Sequence, residues 1–169
     1  MKYLTSAQND TLKSLVRLAS RPAERRKSGL LVLEGLHLVD AWLARQPRLD
    51  QLFVREDALA HPEVTALLAR LSADTPVAVV PAALLGKASE LASPAEVIAL
   101  APIPVPAPYH GGSVLLLDDV QDPGNLGSIL RSAAAAGCTQ AVLSADCVQA
   151  WSPKVLRAAM GAHFQFDLH

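Results

Sequence analysis

The chain has 169 residues, enough for one large domain or two small ones, and its 51% hydrophobic and 18% charged residues describe a globular protein and exclude a disordered one. Aromatics make up only 4% while Ala and Leu abound, which favours an α/β fold over an all-β sandwich. Fifteen Lys plus Arg against sixteen Asp plus Glu leave a net charge of −1, so any affinity for nucleic acid must come from where the cations sit. No apolar run reaches the roughly 18 residues that a membrane span requires. Residues 1–6 lead into polar sequence and not into a signal-peptide core, so the expectation is a cytoplasmic protein without a membrane segment.

Along the chain, Leu12, Leu15, Val16 and Ala19 recur at helical spacing behind a polar start at residues 6–9, which puts Lys13 and Arg17 on one polar face. Lys13, Arg17, Arg21, Arg25, Arg26 and Lys27 fall within fifteen positions that hold one acid, Glu24. Such a stretch reads either as an RNA contact or as a solvated helix face. Leu30-Leu31-Val32-Leu33 is strand-like, and Glu34-Gly35 turns into a helix containing Leu36, Val39 and Leu43. Leu52-Phe53-Val54 is a second strand, and His61-Pro62-Glu63 opens a helix with Val64, Leu67, Leu68 and Leu71. Residues 77–80 and 97–100 are further strands, with Pro81 starting a helix between them. Strands separated by helices predict a small α/β sandwich with a largely parallel sheet over residues 1–101.

Residues 102–112 alternate proline with other residues and end in Gly111-Gly112. Prolines stiffen the backbone toward extended geometry and the two glycines supply a flexible hinge, so this segment reads as an interdomain linker. The second domain, 113–169, follows a cleaner pattern. Val114-Leu115-Leu116-Leu117 is a strand, residues 126–136 a helix closed by Gly137, and Ala141-Val142-Leu143 a second strand. Ser152-Pro153 is a strong helix start, with the serine as N-cap. Phe164, Phe166 and Leu168 alternate as a third strand. Three strands with two helices are half of a doubly wound domain.

Asp118-Asp119-Val120-Gln121-Asp122-Pro123-Gly124-Asn125-Leu126-Gly127-Ser128-Ile129-Leu130-Arg131 is the most informative stretch. A buried strand delivers a polar loop and a helix N-terminus to a sheet edge, where open α/β sheets bind their ligands. Gly124-Asn125 tolerates a left-handed backbone for a sharp strand-to-helix turn, and Gly127 allows another chain or ligand to come close. Arg131 is the only charge between Asp122 and Asp146, on a helix of small apolar residues; its planar donors suit phosphate or ribose oxygens. A salt bridge to Asp118 or Asp119 is its structural alternative. The three acids also admit a receiver-like phospho-acceptor pocket, although a receiver builds five strand–helix units. In the second helix Lys154 and Arg157 lie one turn apart and can meet phosphate together. Cys138 and Cys147 match no zinc spacing and read as buried thiols. The five histidines form no ligand cluster, so no metal is expected.

The Asn-x-Gly-x-x-x-Arg spacing of Asn125, Gly127 and Arg131 resembles the first signature of the SpoU (TrmH-type) RNA ribose methyltransferases of the SPOUT superfamily. Ser152-Pro153-Lys154 with Arg157, Gly161 and Ala162 is similar to the segment after their second strand. Upstream, Tyr3-Leu4-Thr5-Ser6 with Asn9 and Lys13, then Arg25 or Arg26, then Leu33-Glu34-Gly35, looks like the substrate-binding domain that precedes their catalytic domain. One departure is Pro94-Ala95-Glu96, where relatives carry a Gln-Gly pair. The resemblance implies an RNA-binding α/β sandwich followed by the first half of a knotted, Rossmann-like parallel-sheet domain. It implies methyl transfer from S-adenosylmethionine to a ribose 2′-hydroxyl of RNA, rRNA before tRNA, by a homodimer. It gives Asn125 and Arg131 catalytic roles, and RNA contacts to Lys13, Arg17, Arg25, Arg26, Lys154 and Arg157. The family's two cofactor loops lie later in its sequence and do not occur here. The expectation is therefore that these 169 residues alone neither bind the cofactor nor turn over. A non-catalytic RNA-binding module is the alternative from another class.

Overall fold

The computed structural model describes residues 1–46 and 48–169 and divides into two compact units, Met1–Pro102 and Ile103–His169. In the first, β1 (Lys2–Tyr3), β2 (Leu30–Glu34), β3 (Gln51–Arg55), β4 (Val77–Val80) and β5 (Val97–Pro102) form one sheet in the order β1-β4-β3-β5-β2. Its helices are α1 (Asp10–Ser20), α2 (Pro22–Ser28), α3 (Leu36–Leu43), α4 (Pro62–Arg70) and the short α5 (Ala82–Leu85), which runs on as a 3-10 turn over Gly86–Ala88. Asn9 starts α1 by accepting from the amides of Thr11 at 2.9 Å and Leu12 at 3.4 Å. Leu12, Leu15 and Leu18 then fall on one buried stripe.

Strand alternation sorts the core into two faces. Val32, Phe53, Ala78, Val80 and Ile98 pack with Leu12, Leu15 and Leu18 of α1 and Leu85 of α5. The intervening Leu31, Leu33, Leu52, Val54 and Val79 are equally buried on the other face, where α3 and α4 pack. Four of the five strands run the same way, as the alternation of strands and helices predicts, and β5 is the exception. β1, β4 and β3 run parallel, but β5 is antiparallel to both β3 and β2.

The second unit holds three parallel strands in sequence order, β6 (Val114–Leu117), β7 (Gln140–Leu143) and β8 (Asp167–Leu168), joined by α6 (Pro123–Ala135) and α7 (Pro153–Ala159). Leu126, Leu130 and Val155 pack with Leu117, Ala141 and Phe166 on one sheet face. On the other, the register partners Leu116 and Val142 remain 74% and 41% exposed.

Two sequence expectations change here. The third strand begins at Asp167 and not at Phe164, because α7 ends on left-handed Met160 and Gly161 and the chain then makes a 3-10 turn over Ala162–Gln165. Phe166 still enters the core, so the alternation of aromatics reflects turn geometry as well as pleat. The hinge is also shorter than its composition implies. Pro102 closes β5 opposite Leu30, and Gly111 is held by its carbonyl, which accepts from Gln140 Nε2 at 2.7 Å. Gln140 Oε1 accepts from the His110 amide at 3.2 Å, and Asp167 Oδ1 from the Ala107 amide at 2.8 Å. The later half of the proline segment is thus strapped to β7 and β8.

Candidate functional site

The strand-end loops of the second unit are laced to each other. After Leu117 the backbone turns at Asp119, whose φ of 51° is left-handed; aspartate bears that conformation better than most residues. The Asp119 amide donates to Ser144 Oγ at 3.1 Å, and the Val120 amide to Cys147 Sγ at 3.4 Å. In return the Ser144 amide donates to Leu117 O and the Val148 amide to Val120 O, both at 2.9 Å. Asp122 caps α6, accepting from the Asn125 amide at 2.7 Å, and Pro123 occupies the first helical position.

The helix therefore begins three residues earlier than its apolar periodicity indicates, and Gly124 and Asn125 are helical. The left-handed residue of this turn is Asp119. Gly127 has a different role from the one expected. A Cβ there would stand 2.8 Å from the Ala159 amide nitrogen and 2.9 Å from the Ala158 carbonyl carbon, so the close approach it permits is that of α7 to α6.

Asn125 is exposed in the first turn of α6. Arg131 lies about 9 Å further along the axis and about 120° around it, so the helix does not bring the two side chains together. Arg131 is exposed too; its Nη1 donates to Met160 Sδ at 3.3 Å, and it forms no ion pair among the described residues. The salt bridge to Asp118 or Asp119 does not form. Asp119 instead accepts from Gln121 Nε2 at 2.7 Å and Asp122 is a cap, which takes both out of a phospho-acceptor pocket. Lys154 is exposed and Arg157 half-buried on α7. Both thiols are half-buried; Cys147 is an acceptor within the loops. Among the described residues, no group of three or more His, Cys, Asp or Glu is placed to hold a metal.

His163 belongs to no ligand cluster in the sequence, yet it is fully buried. Its Nε2 faces Ala150 O at 2.9 Å, its Nδ1 has no partner among the described residues, and its ring tilts against Trp151 at 5.4 Å. Burial pushes it down to about 4, against the opposing pull of the Ala150 carbonyl.

In the first unit the basic stretch divides. Lys13, Arg17 and Arg26 have solvent access, whereas Arg25 is 2% exposed and is removed from the RNA-contact set. Its Nη1 donates to Leu18 O and, at 3.1 Å, to Ala19 O, so it satisfies carbonyls at the end of α1. Burial, and then Arg26 beside it, lowers its proton affinity, while Glu90 raises it. Lys87, which carried no signal of its own in the sequence, comes to stand beside Lys13 and Arg17.

Residues 112–169 match the SpoU rRNA methylase family and residues 9–99 the MRM3-like substrate binding domain. The chain belongs to the SpoU rRNA methylase family. Over 55 residues, 32% of this SpoU chain and 13% of the relative, it is 64% identical to mouse (Mus musculus) mitochondrial rRNA methyltransferase 3. Over 170 residues, 99% of the chain, it is 31% identical to the 23S rRNA (guanosine(2553)-2′-O)-methyltransferase RlmP of Bacillus subtilis (strain 168), of which it spans 64%. A solved RNA 2′-O ribose methyltransferase superposes with a TM-score of 0.80 at 32% identity, covering 98% of this chain and 64% of that one. The SpoU chain thus spans less than two thirds of these relatives.

The family implies S-adenosylmethionine. Five amides of the two strand-end loops, those of Asp119, Val120, Ser144, Cys147 and Val148, are bonded within the loops and so are not open to a nucleoside.

Proposed function

We propose that the protein to which this chain belongs transfers a methyl group from S-adenosylmethionine to a ribose 2′-hydroxyl of RNA, rRNA before tRNA, as a homodimer. One observation carries the reading: on the signature helix of a SpoU chain, Arg131 is the single charge and is left exposed, with a thioether as its hydrogen-bond partner among the described residues. A structural arginine finds carbonyls or a carboxylate, as Arg25 does.

Arg131 grips the phosphate beside the target ribose through its planar donors and polarises the hydroxyl oxygen. It does not act as a free base, since the guanidinium offers donors and no acceptor. Asn125, distant from Arg131 on the helix, hydrogen-bonds the ribose itself. Lys13, Arg17 and Arg26, with Lys154 and Arg157, neutralise RNA phosphates. Residues 1–169 alone bind RNA but neither hold the cofactor nor turn over. A cytoplasmic location belongs to the same proposal; a mitochondrial one is the alternative that mouse rRNA methyltransferase 3 brings.

The test is methyl transfer to rRNA by the full-length protein, read as a ribose linkage that resists alkaline cleavage, since that cleavage requires a free 2′-hydroxyl. Arg131→Ala is expected to lower kcat/KM at least tenfold while Tm moves by less than a degree. Full activity in Arg131→Ala would remove the assignment, and alkali-labile product would move the methyl group off the ribose.

A further inference from the structure

Between α1 and the 3-10 turn after α5 lies an open cleft of about 300 Å³ whose two halves differ in chemistry. Ala7, Leu12, Val16 and Leu84 make an apolar floor, and Lys13, Arg17 and Lys87 stand around it. Among the described residues no acid lines it. The acids that touch its cations are Asp10, at 4.0 Å from Lys13 Nζ, and Glu24, at 3.9 Å from Arg17 Nε. Both are long, solvent-exposed pairs of the kind that contribute little and exchange readily for another anion. Lys87 is exposed and has no ion pair or hydrogen bond among the described residues.

Cations alone would suit any phosphate backbone, but the floor discriminates. An RNA duplex presents phosphates and 2′-hydroxyls, which would leave the carbon of Val16 and Leu84 facing water. An unpaired nucleotide offers both parts at once, a base face to cover carbon and phosphates to meet the charges. The volume sits at the small end of ligand sites, which suits one nucleotide and not a stacked run.

We propose that this cleft is a subsite for one unpaired nucleotide of the RNA substrate, its base on Leu12, Val16 and Leu84 and its phosphates shared by Lys13, Arg17 and Lys87. The proposal rests on the reading of the protein as an RNA methyltransferase. It goes further by naming the strandedness of the RNA recognised and by bringing in Lys87.

The 169-residue chain is titrated with a fluorescein-labelled unpaired oligoribonucleotide, and with an RNA duplex of the same length, at several salt concentrations. The unpaired strand is expected to bind more tightly. Lys87→Glu, at an exposed position where folding is not at stake, weakens that binding at least tenfold and lowers the salt slope by about one. Arg70→Glu, on α4 across the sheet, changes neither by more than twofold. Adenosine 5′-monophosphate shifts the methyl resonances of Leu12, Val16 and Leu84, and ribose 5-phosphate leaves them in place. Salt-dependent RNA binding that Lys87→Glu does not alter overturns the cleft and leaves the methyltransferase reading standing. No RNA binding by the unaltered chain overturns the cleft together with RNA binding by residues 1–169. Equal affinity for the duplex, with methyl resonances silent to the mononucleotide, overturns the unpaired nucleotide as its occupant.

Discussion

Helices cover both faces of the five-stranded sheet, whereas the three-stranded sheet carries α6 and α7 on one face and leaves Leu116 and Val142 in solvent on the other. The two units also treat their cations differently. Arg25 in the first is drawn inside to close the end of α1, and Arg131 in the second is left outside on α6. The contrast separates residues that hold a unit together from residues held out for a ligand. It also predicts two separable unfolding transitions, the second unit melting first because it buries less apolar surface against itself.

The largest effect is expected from Gly127→Val. Its side chain would collide with the backbone of α7, which cannot yield as a flexible side chain would, at a cost of about 3 kcal/mol or more. Calorimetry should show the lower transition lost or displaced downward and the upper one unmoved; a shift of both would mean that the units do not fold separately.

Acid should produce a comparable effect confined to the same unit. His163 is held down to about 4 in the folded state, below its ordinary 6.5, so the unfolded chain takes up the proton first. Its contribution is complete above pH ~6.5, falls as the pH drops from there to about 4, and totals about 3 kcal/mol across that window. Melting curves from pH 7 to pH 4 should show the lower transition descending, and His163→Phe should flatten that descent. A parallel fall in the variant would place the acid sensitivity elsewhere.

The smallest of the three belongs to the first unit. Arg25→Met keeps much of the buried volume but leaves Leu18 O and Ala19 O without their guanidinium, at about 2 kcal/mol. Only the upper transition should move, and RNA affinity should change less than twofold. A larger loss of affinity at unchanged stability would return Arg25 to the RNA-contact set.

Much of this was legible along the chain because it is local chemistry. Leu12, Leu15 and Leu18 at helical spacing behind Asn9, Ser152-Pro153 before α7, and the apolar strands ending at Leu33, Val54, Val80 and Leu117 each write their element within a few residues. The apolar pattern after the loop likewise placed Arg131 on a helix, while Asn125 was expected in the turn before it and lies in the first turn of α6. Side-chain roles were less legible where they depend on a partner distant in sequence. No periodicity tells that Gly127 will meet Ala158, that Gln140 will clasp Gly111, or that Lys87 will stand beside Lys13 and Arg17. Arg25 and Arg26 are adjacent and identical in type, yet only the packing of α2 against α1 and β2 sends one inward and the other to solvent. The direction of β5 is seen only in its pairing with β3 and β2 and not in the apolar pattern of Val97–Pro102, which would serve a strand running either way. Sequence determined the elements, because caps and periodicity act within a turn or two. Tertiary structure decided burial, pairing and which cations share a surface, because those depend on contacts that loop closure brings together from far along the chain.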